Sequence, residues 1–99
     1  MYTYIWEYYV KDDFIEEFEK IYGAAGAWAQ LFRDDKGYIR TELHRDIDNE
    51  NRYLTVDYWI SKSACDEFQK KFSAEYEALD KMCDSLIEKE NSLGSFHFV

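Results

Sequence analysis

Arg52-Tyr53-Leu54-Thr55-Val56-Asp57-Tyr58-Trp59-Ile60 is the stretch that decides the fold of this chain. Its β-branched and aromatic residues make it a strand. Side chains alternate across a strand, so Leu54, Val56, Tyr58 and Ile60 share one face. Tyr53, Thr55, Asp57 and Trp59 share the other. Both sets favour burial, so this strand belongs inside a sheet with something on each side. Tyr2 to Val10 has the same character, with Tyr4, Trp6 and Tyr8 on one face and Ile5 and Tyr9 on the other. Glu7 is its one charged residue.

Working outward, the polar turn Asp48 to Asn51 joins the decisive strand to another, Tyr38 to Asp46, as an antiparallel hairpin. Asp34-Asp35-Lys36-Gly37 is the turn before that hairpin. Between the first strand and this turn, Phe14, Ile15, Phe18, Ile21 and Tyr22 recur at helical spacing. Glu16, Glu17, Glu19 and Lys20 fall on the solvated side. Asp12 or Asp13 caps this helix, and Asp13 with Glu16 has the spacing of a capping box. Gly23 ends it. Ala24 to Phe32 reads as a second short helix, with Trp28, Leu31 and Phe32 as its bulk and Gly26 allowing close backbone approach.

After the decisive strand, Ser61 or Ser63 caps another helical stretch. Ala64, Phe68 and Phe72 are spaced by four, and Tyr76, Leu79, Cys83 and Leu86 continue the stripe after a break near Ser73. Ser92 to Gly94 reads as a turn and Ser95 to Val99 as a short last strand. The order strand, helix, strand, strand, helix, strand is the split βαβ pattern of a ferredoxin-like α+β fold in a single domain, residues 1–99. Right-handed crossovers put both helical segments on one face of a four-stranded antiparallel sheet ordered fourth, first, third, second. The two most apolar strands are then central. Their second face has no helix to cover it, and a second copy of the chain is the economical cover.

Composition narrows the function classes. The hydrophobic share of 46% supports a real core. The net charge of −9 repels phosphate backbones and no basic stripe offsets it, which argues against nucleic acid as a partner. No apolar run is long enough for a membrane helix, and no leader pattern is visible at the N-terminus. Cys65 and Cys83 form no Cys-x-x-Cys pair, which fits a reducing, cytoplasmic setting. His44 and His97 carry no ligand spacing, so no metal site is expected. A Gly-rich phosphate loop and a nucleophile elbow are both absent.

Three stretches resemble the antibiotic biosynthesis monooxygenase family of dimeric α+β barrels. One is the aromatic first strand ending in Tyr9-Val10 before an acidic helix. Another runs from Tyr22-Gly23 through Gly26-x-Trp28-x-x-Leu31-Phe32 to Gly37-Tyr38 and Thr41-Glu42-Leu43. The third is Arg52-Tyr53-Leu54 through Asp57-x-Trp59-x-Ser61. The resemblance implies a homodimer with two sheets face to face and a pocket in each subunit between sheet and helices. It implies oxidation of a small aromatic substrate, quinol or polyketide-like, by dioxygen with no cofactor. Trp59 stands where the family's tryptophan ends the third strand. The haem-degrading branch also uses a histidine in the following helix and an asparagine in the first strand. Here Asp66 to Ser73 holds no histidine, with Gln69 nearest the expected place, and no asparagine precedes Asn49. Haem degradation is therefore not expected.

Asp57 and Trp59 are the candidate catalytic residues. A carboxylate in a central strand facing helices is costly unless it is hydrogen-bonded or used. The hairpin register places Thr41 opposite it, with Arg33 or Arg45 in reach. Asp57 is thus either a buried anchor or a base. An indole offers Trp59 a flat apolar face and one donor toward a ligand. Trp28, Thr41, Tyr53, Phe68 and Phe72 are the expected pocket lining. Tyr4, Trp6 and Tyr8 read as core or dimer interface. The rival to catalysis is a ligand-binding or structural dimer of the same fold; a third reading is an isomerase or lyase needing a base but no oxygen. An open cleft with Asp57 and a second polar group favours chemistry, whereas a cleft filled by Phe14, Phe18, Phe68 and Phe72 favours structure.

Overall fold

A computed structural model describes residues 1–99. The elements are β1 (Tyr2–Val10), α1 (Ile15–Tyr22), α2 (Ala27–Phe32), β2 (Tyr38–Arg45), β3 (Arg52–Trp59), α3 (Lys62–Lys71), α4 (Ser73–Cys83) and β4 (Ile87–His97). The four strands form one antiparallel sheet in the order β2-β3-β1-β4, so the two most apolar strands are central as expected.

The core lies between the sheet and the helices. Tyr8 and Val10 from β1, Tyr53 and Trp59 from β3, Phe18 and Tyr22 from α1, Trp28 and Phe32 from α2, and Phe68 from α3 are all buried there. Phe18 and Phe68 are wholly enclosed, at 0% exposure. Each such ring contributes about 2–3 kcal/mol of transfer free energy. Most of these rings meet at tilted or edge angles, as with Phe32 and Phe68 at 5.3 Å and 84°, whereas Phe18 and Tyr22 stack at 4.2 Å.

Three local expectations are corrected. The Asp13–Glu16 capping box does not form. Residues Asp12–Phe14 make a 3-10 turn without a side-chain cap, and Asp12 instead accepts a hydrogen bond from Asn51 at 2.7 Å. The second helix begins at Ala27, with Gly26 as its extended N-cap. A Cβ at Gly26 would overlap the Ile21 carbonyl, so close approach is the reason for glycine there. The last strand is the largest difference. Ser92–Gly94 is not a turn: β4 runs 11 residues from Ile87, and Leu93 is an extra residue bulged out between the pairs Trp6↔Ser92 and Ile5↔Gly94. Glu88, Lys89, Glu90 and Asn91 are polar and have weak strand preference, yet the free edge of β1 supplies the ladder that recruits them.

Other local signals act as read. Ser61 caps α3, accepting from the Ala64 amide at 3.1 Å, and Phe72 separates α3 from α4. The Gly37 amide donates to Asp35 at 2.7 Å in the turn before β2. On the helix-free face, Glu7 binds Arg52 at 2.7 Å and Asn91 at 2.8 Å, tying β1 to both neighbours. The same face carries Ile5, Leu54 and Val56, none of them fully buried.

Candidate active site

The register of the sheet assembles the site. Asp57 stands between Thr41 on β2 and Tyr4 on β1, and Thr55 stands beside Trp6. All of these side chains lie on the helix-covered face. The Thr41 hydroxyl donates to Asp57 Oδ1 at 2.7 Å and lies 2.7 Å from the Tyr38 hydroxyl. Oδ2 of Asp57 takes no hydrogen bond, and no cation pairs with the carboxylate. Arg33 and Arg45 do not reach it, contrary to expectation. Arg33 donates to the Ala24 carbonyl at 3.0 Å, and Arg45 lies 3.8 Å from Glu19.

Above Asp57 the helices leave a cavity of about 220 Å³. Its floor is Trp6, Tyr8, Thr41, Thr55 and Asp57 from the sheet, and its walls are Tyr22, Trp28, Phe32 and Tyr76 from the helices. Asp80 on α4 and Glu90 on β4 line it as exposed residues and so mark its mouth. A smaller space of about 20 Å³ on the other side of Asp57 is bounded by Tyr4, Trp59, Cys65, Phe68 and Gln69.

Asp57 keeps partial exposure because it borders a cavity, yet its carboxyl is sufficiently surrounded for burial to push its pKa up to about 6, partly offset by the Thr41 hydroxyl. Burial also pushes the Tyr76 phenol up to about 12 and holds Tyr8 and Tyr22 well above the ordinary value, so these hydroxyls stay protonated. Asp80 is raised by burial and by Asp84, and Glu90 by burial, Asp80 and Asp84. Burial pushes Cys65 up to about 11 and raises Cys83, which suits inert core thiols. The Trp28 Nε1–H is buried without an acceptor.

The residues singled out from sequence therefore separate. Asp57, Thr41 and Trp28 line the larger cavity. Trp59 does not. It is 2% exposed and packs against Phe32, Tyr38 and Phe68, touching only the small space. Phe68 borders that same small space, and Phe72 stacks on Phe68 at 5.0 Å. Tyr53 is buried against Phe18, and its hydroxyl donates to Glu19 at 2.5 Å. Trp6 and Tyr8, read as core or interface, pack in or against the core and also line the cavity. Tyr76 was read only as part of the helical stripe and Asp80 went unnoticed, although their four-residue spacing puts them on one side of α4. Glu90 was missed because its strand was missed.

A family model for antibiotic biosynthesis monooxygenases matches residues 1–79. The chain belongs to the antibiotic biosynthesis monooxygenase family. The match spans β1 through most of α4, so it takes in every cavity residue except Asp80 and Glu90. Among solved structures, the family fold is shared with SnoaB, a cofactor-independent oxygenase from Streptomyces nogalater. That protein is 24% identical, with a TM-score of 0.72 over 99% of this chain and 92% of the other. A protein from Deinococcus radiodurans is 12% identical, with a TM-score of 0.77 over 100% and 93%. SO0527 from Shewanella oneidensis is 21% identical, with a TM-score of 0.71 over 98% and 89%. At these identities the likeness establishes the fold. A search of curated proteins finds no match.

Proposed function

We propose that this family member is a cofactor-independent monooxygenase of a small, electron-rich aromatic substrate, with Asp57 as the base. The observation that carries the reading is a carboxylate with a pKa raised to about 6, one oxygen free of hydrogen bonds, on the floor of an aromatic cavity. A base whose pKa lies near neutrality can both take and return a proton. Trp6, Trp28 and Phe32 offer ring faces to a flat substrate, and the neutral Tyr76 hydroxyl can donate toward a developing oxyanion. Asp57 removes a proton from an activated ring methylene, and the carbanion combines with dioxygen. The resulting hydroperoxide takes up a proton, loses water and leaves a carbonyl. One oxygen atom enters the product and the other enters water.

The helix-free sheet face supports a dimer in the same reading. Ile5, Leu54 and Val56 lie across its centre, and exposed Ile39 and Phe96 flank them on the edge strands. A specific dimer would bury upwards of roughly 1,000 Å² there. The two buried free thiols suit a reducing compartment.

Oxygen uptake with a panel of anthrones and naphthohydroquinones tests the reaction. At least one compound should consume one dioxygen per molecule, and Asp57→Asn should lower the rate by about 100-fold or more while leaving the fold intact. No uptake above the protein-free blank across the panel would leave a binding or structural dimer as the better reading. Sedimentation equilibrium at micromolar concentration tests the dimer, which a stable monomer would refute.

A further inference from the structure

The cavity is lined by aromatic rings, three carboxylates and two threonines, and by no cationic side chain. Asp57 lies on its floor, and Asp80 on α4 and Glu90 on β4 stand at its mouth. None of the twelve Lys and Arg residues lines it, nor does either histidine. Neither Asp80 nor Glu90 forms an ion pair. Lys89, the neighbour of Glu90, points to the other side of the sheet, where its Nζ lies 5.8 Å from the Tyr9 ring centre. Five of the 21 acids of the chain have a basic partner within 4 Å. Glu7, Asp46, Glu42 and Asp66 each have a basic partner within 3.2 Å. What sets Asp57, Asp80 and Glu90 apart from the other unpaired acids is that all three line one cavity that no cationic side chain enters.

We propose that the cavity selects a cationic substrate, an aromatic compound bearing a protonated amine, with the ammonium held at the mouth by Asp80 and Glu90 and the ring seated over Asp57. The inference rests on the monooxygenase reading of the same site and names the charge class of its substrate. Two observations besides the acids point to an organic cation. Trp6 on the floor and Tyr22, Trp28 and Tyr76 in the walls are aromatic, and aromatic rings attract ammonium groups and flat aromatics alike. Oδ2 of Asp57 takes no hydrogen bond from the protein, which leaves it open to a donor at the inner end of the cavity. A metal ion is a poorer occupant, because no three of the His, Cys, Asp and Glu side chains gather closely enough to ligate one. An anionic aromatic is poorer still, since it would enter past two carboxylates toward a third. Behind burial, Asp84 raises Asp80, and Asp80 and Asp84 raise Glu90, and a positive charge at the mouth offsets that repulsion.

Three probes of one shape separate the charge classes: naphthylmethylamine, naphthylmethanol and naphthoic acid. Binding is read from quenching of tryptophan fluorescence at pH 7.5 and low salt, and by calorimetry. The amine should bind about tenfold more tightly than the alcohol, and the acid more weakly than either. The double variant Asp80→Asn, Glu90→Gln should bring the amine down to the affinity of the alcohol while the alcohol is unchanged, and that unchanged affinity certifies an intact cavity. Equal or tighter binding of the acid, an amine preference that survives the double variant, or no binding of any probe would overturn the proposal. Oxygen uptake with a neutral substrate but no amine preference would sink this inference and spare the monooxygenase reading. Amine selectivity without any oxygen uptake would do the reverse.

Discussion

Two halves of one layer behave differently. Between sheet and helices, the side nearest the start of α3 is filled by Trp59, Phe32, Tyr38 and Phe68, whose ring centres lie 5.2 to 5.6 Å apart. The side toward β4 is open, and its aromatic residues line space instead of closing it. Both halves are built from Trp, Tyr and Phe on strands that alternate in the same way. The difference lies in what the helices bring to meet them. α3 and the joint that follows it present Phe68 and Phe72, which fill; α4 presents Tyr76 and Asp80, which stand back. Aromatic content predicts burial, therefore, but whether a ring fills or lines is decided across the layer by its partner.

The filled half should be costly to disturb. Phe68→Ala removes a wholly enclosed ring and should lower stability by about 3–5 kcal/mol in urea denaturation. Trp6→Ala, which truncates a partly exposed ring beside existing space, should cost well under half as much. Equal losses at the two positions would erase the distinction between the halves.

Asp57 sits where the halves meet, and its effect on stability should depend on pH. Its folded pKa is raised from 3.8 to about 6. A raised carboxyl binds its proton more tightly in the folded state, so stability is highest at low pH and declines as pH rises from about 4 to about 6. Asp57→Asn abolishes that decline. The variant should match the parent near pH 4 and exceed it near pH 7.5 by about 1–3 kcal/mol, as thermal unfolding across that range would reveal. A difference between variant and parent that does not grow between pH 4 and 6 would mean that a cation compensates the carboxylate after all.

The smallest effect is expected at Thr41. Thr41→Val keeps the shape and removes the one hydrogen bond to Asp57, so it should cost about 1 kcal/mol and push the Asp57 pKa still higher. Carbon-13 NMR of the carboxyl group during a pH titration would resolve that shift. A lowered pKa would show that the hydroxyl donates elsewhere in solution.

Much of this was legible because period-two alternation is a strong signal in β1 and β3. The same alternation placed Thr41 opposite Asp57 once the hairpin turn was read. The last strand was illegible because Glu88, Lys89, Glu90 and Asn91 are held by the ladder along β1 and not by their own apolar pattern. Without that strand, the acid at the cavity mouth had no position. Trp59 was misplaced for a subtler reason. Alternation shows that it faces the helices, but only packing shows that Phe32 and Phe68 already occupy the space in front of it. The arginines near Asp57 were judged by chain proximity, and both have nearer acceptors in Ala24 and Glu19.

The bulged residue of β4 has a bearing on how chains of this kind can vary in length. Ser92 and Ser95 face the helices, and Gly94 and Phe96 face away, with Leu93 outside the count. A second irregularity does the same for Glu88, between the pairs Tyr9↔Lys89 and Val10↔Ile87. Removing Leu93 would join Ser92 to Gly94 in regular alternation and leave both sets on their present faces. Removing a residue at any regular position of the strand would instead turn one flank over, carrying Phe96 inward or Glu90 outward. In descent, single-codon insertions and deletions within this strand should therefore collect at these two points and be purged elsewhere.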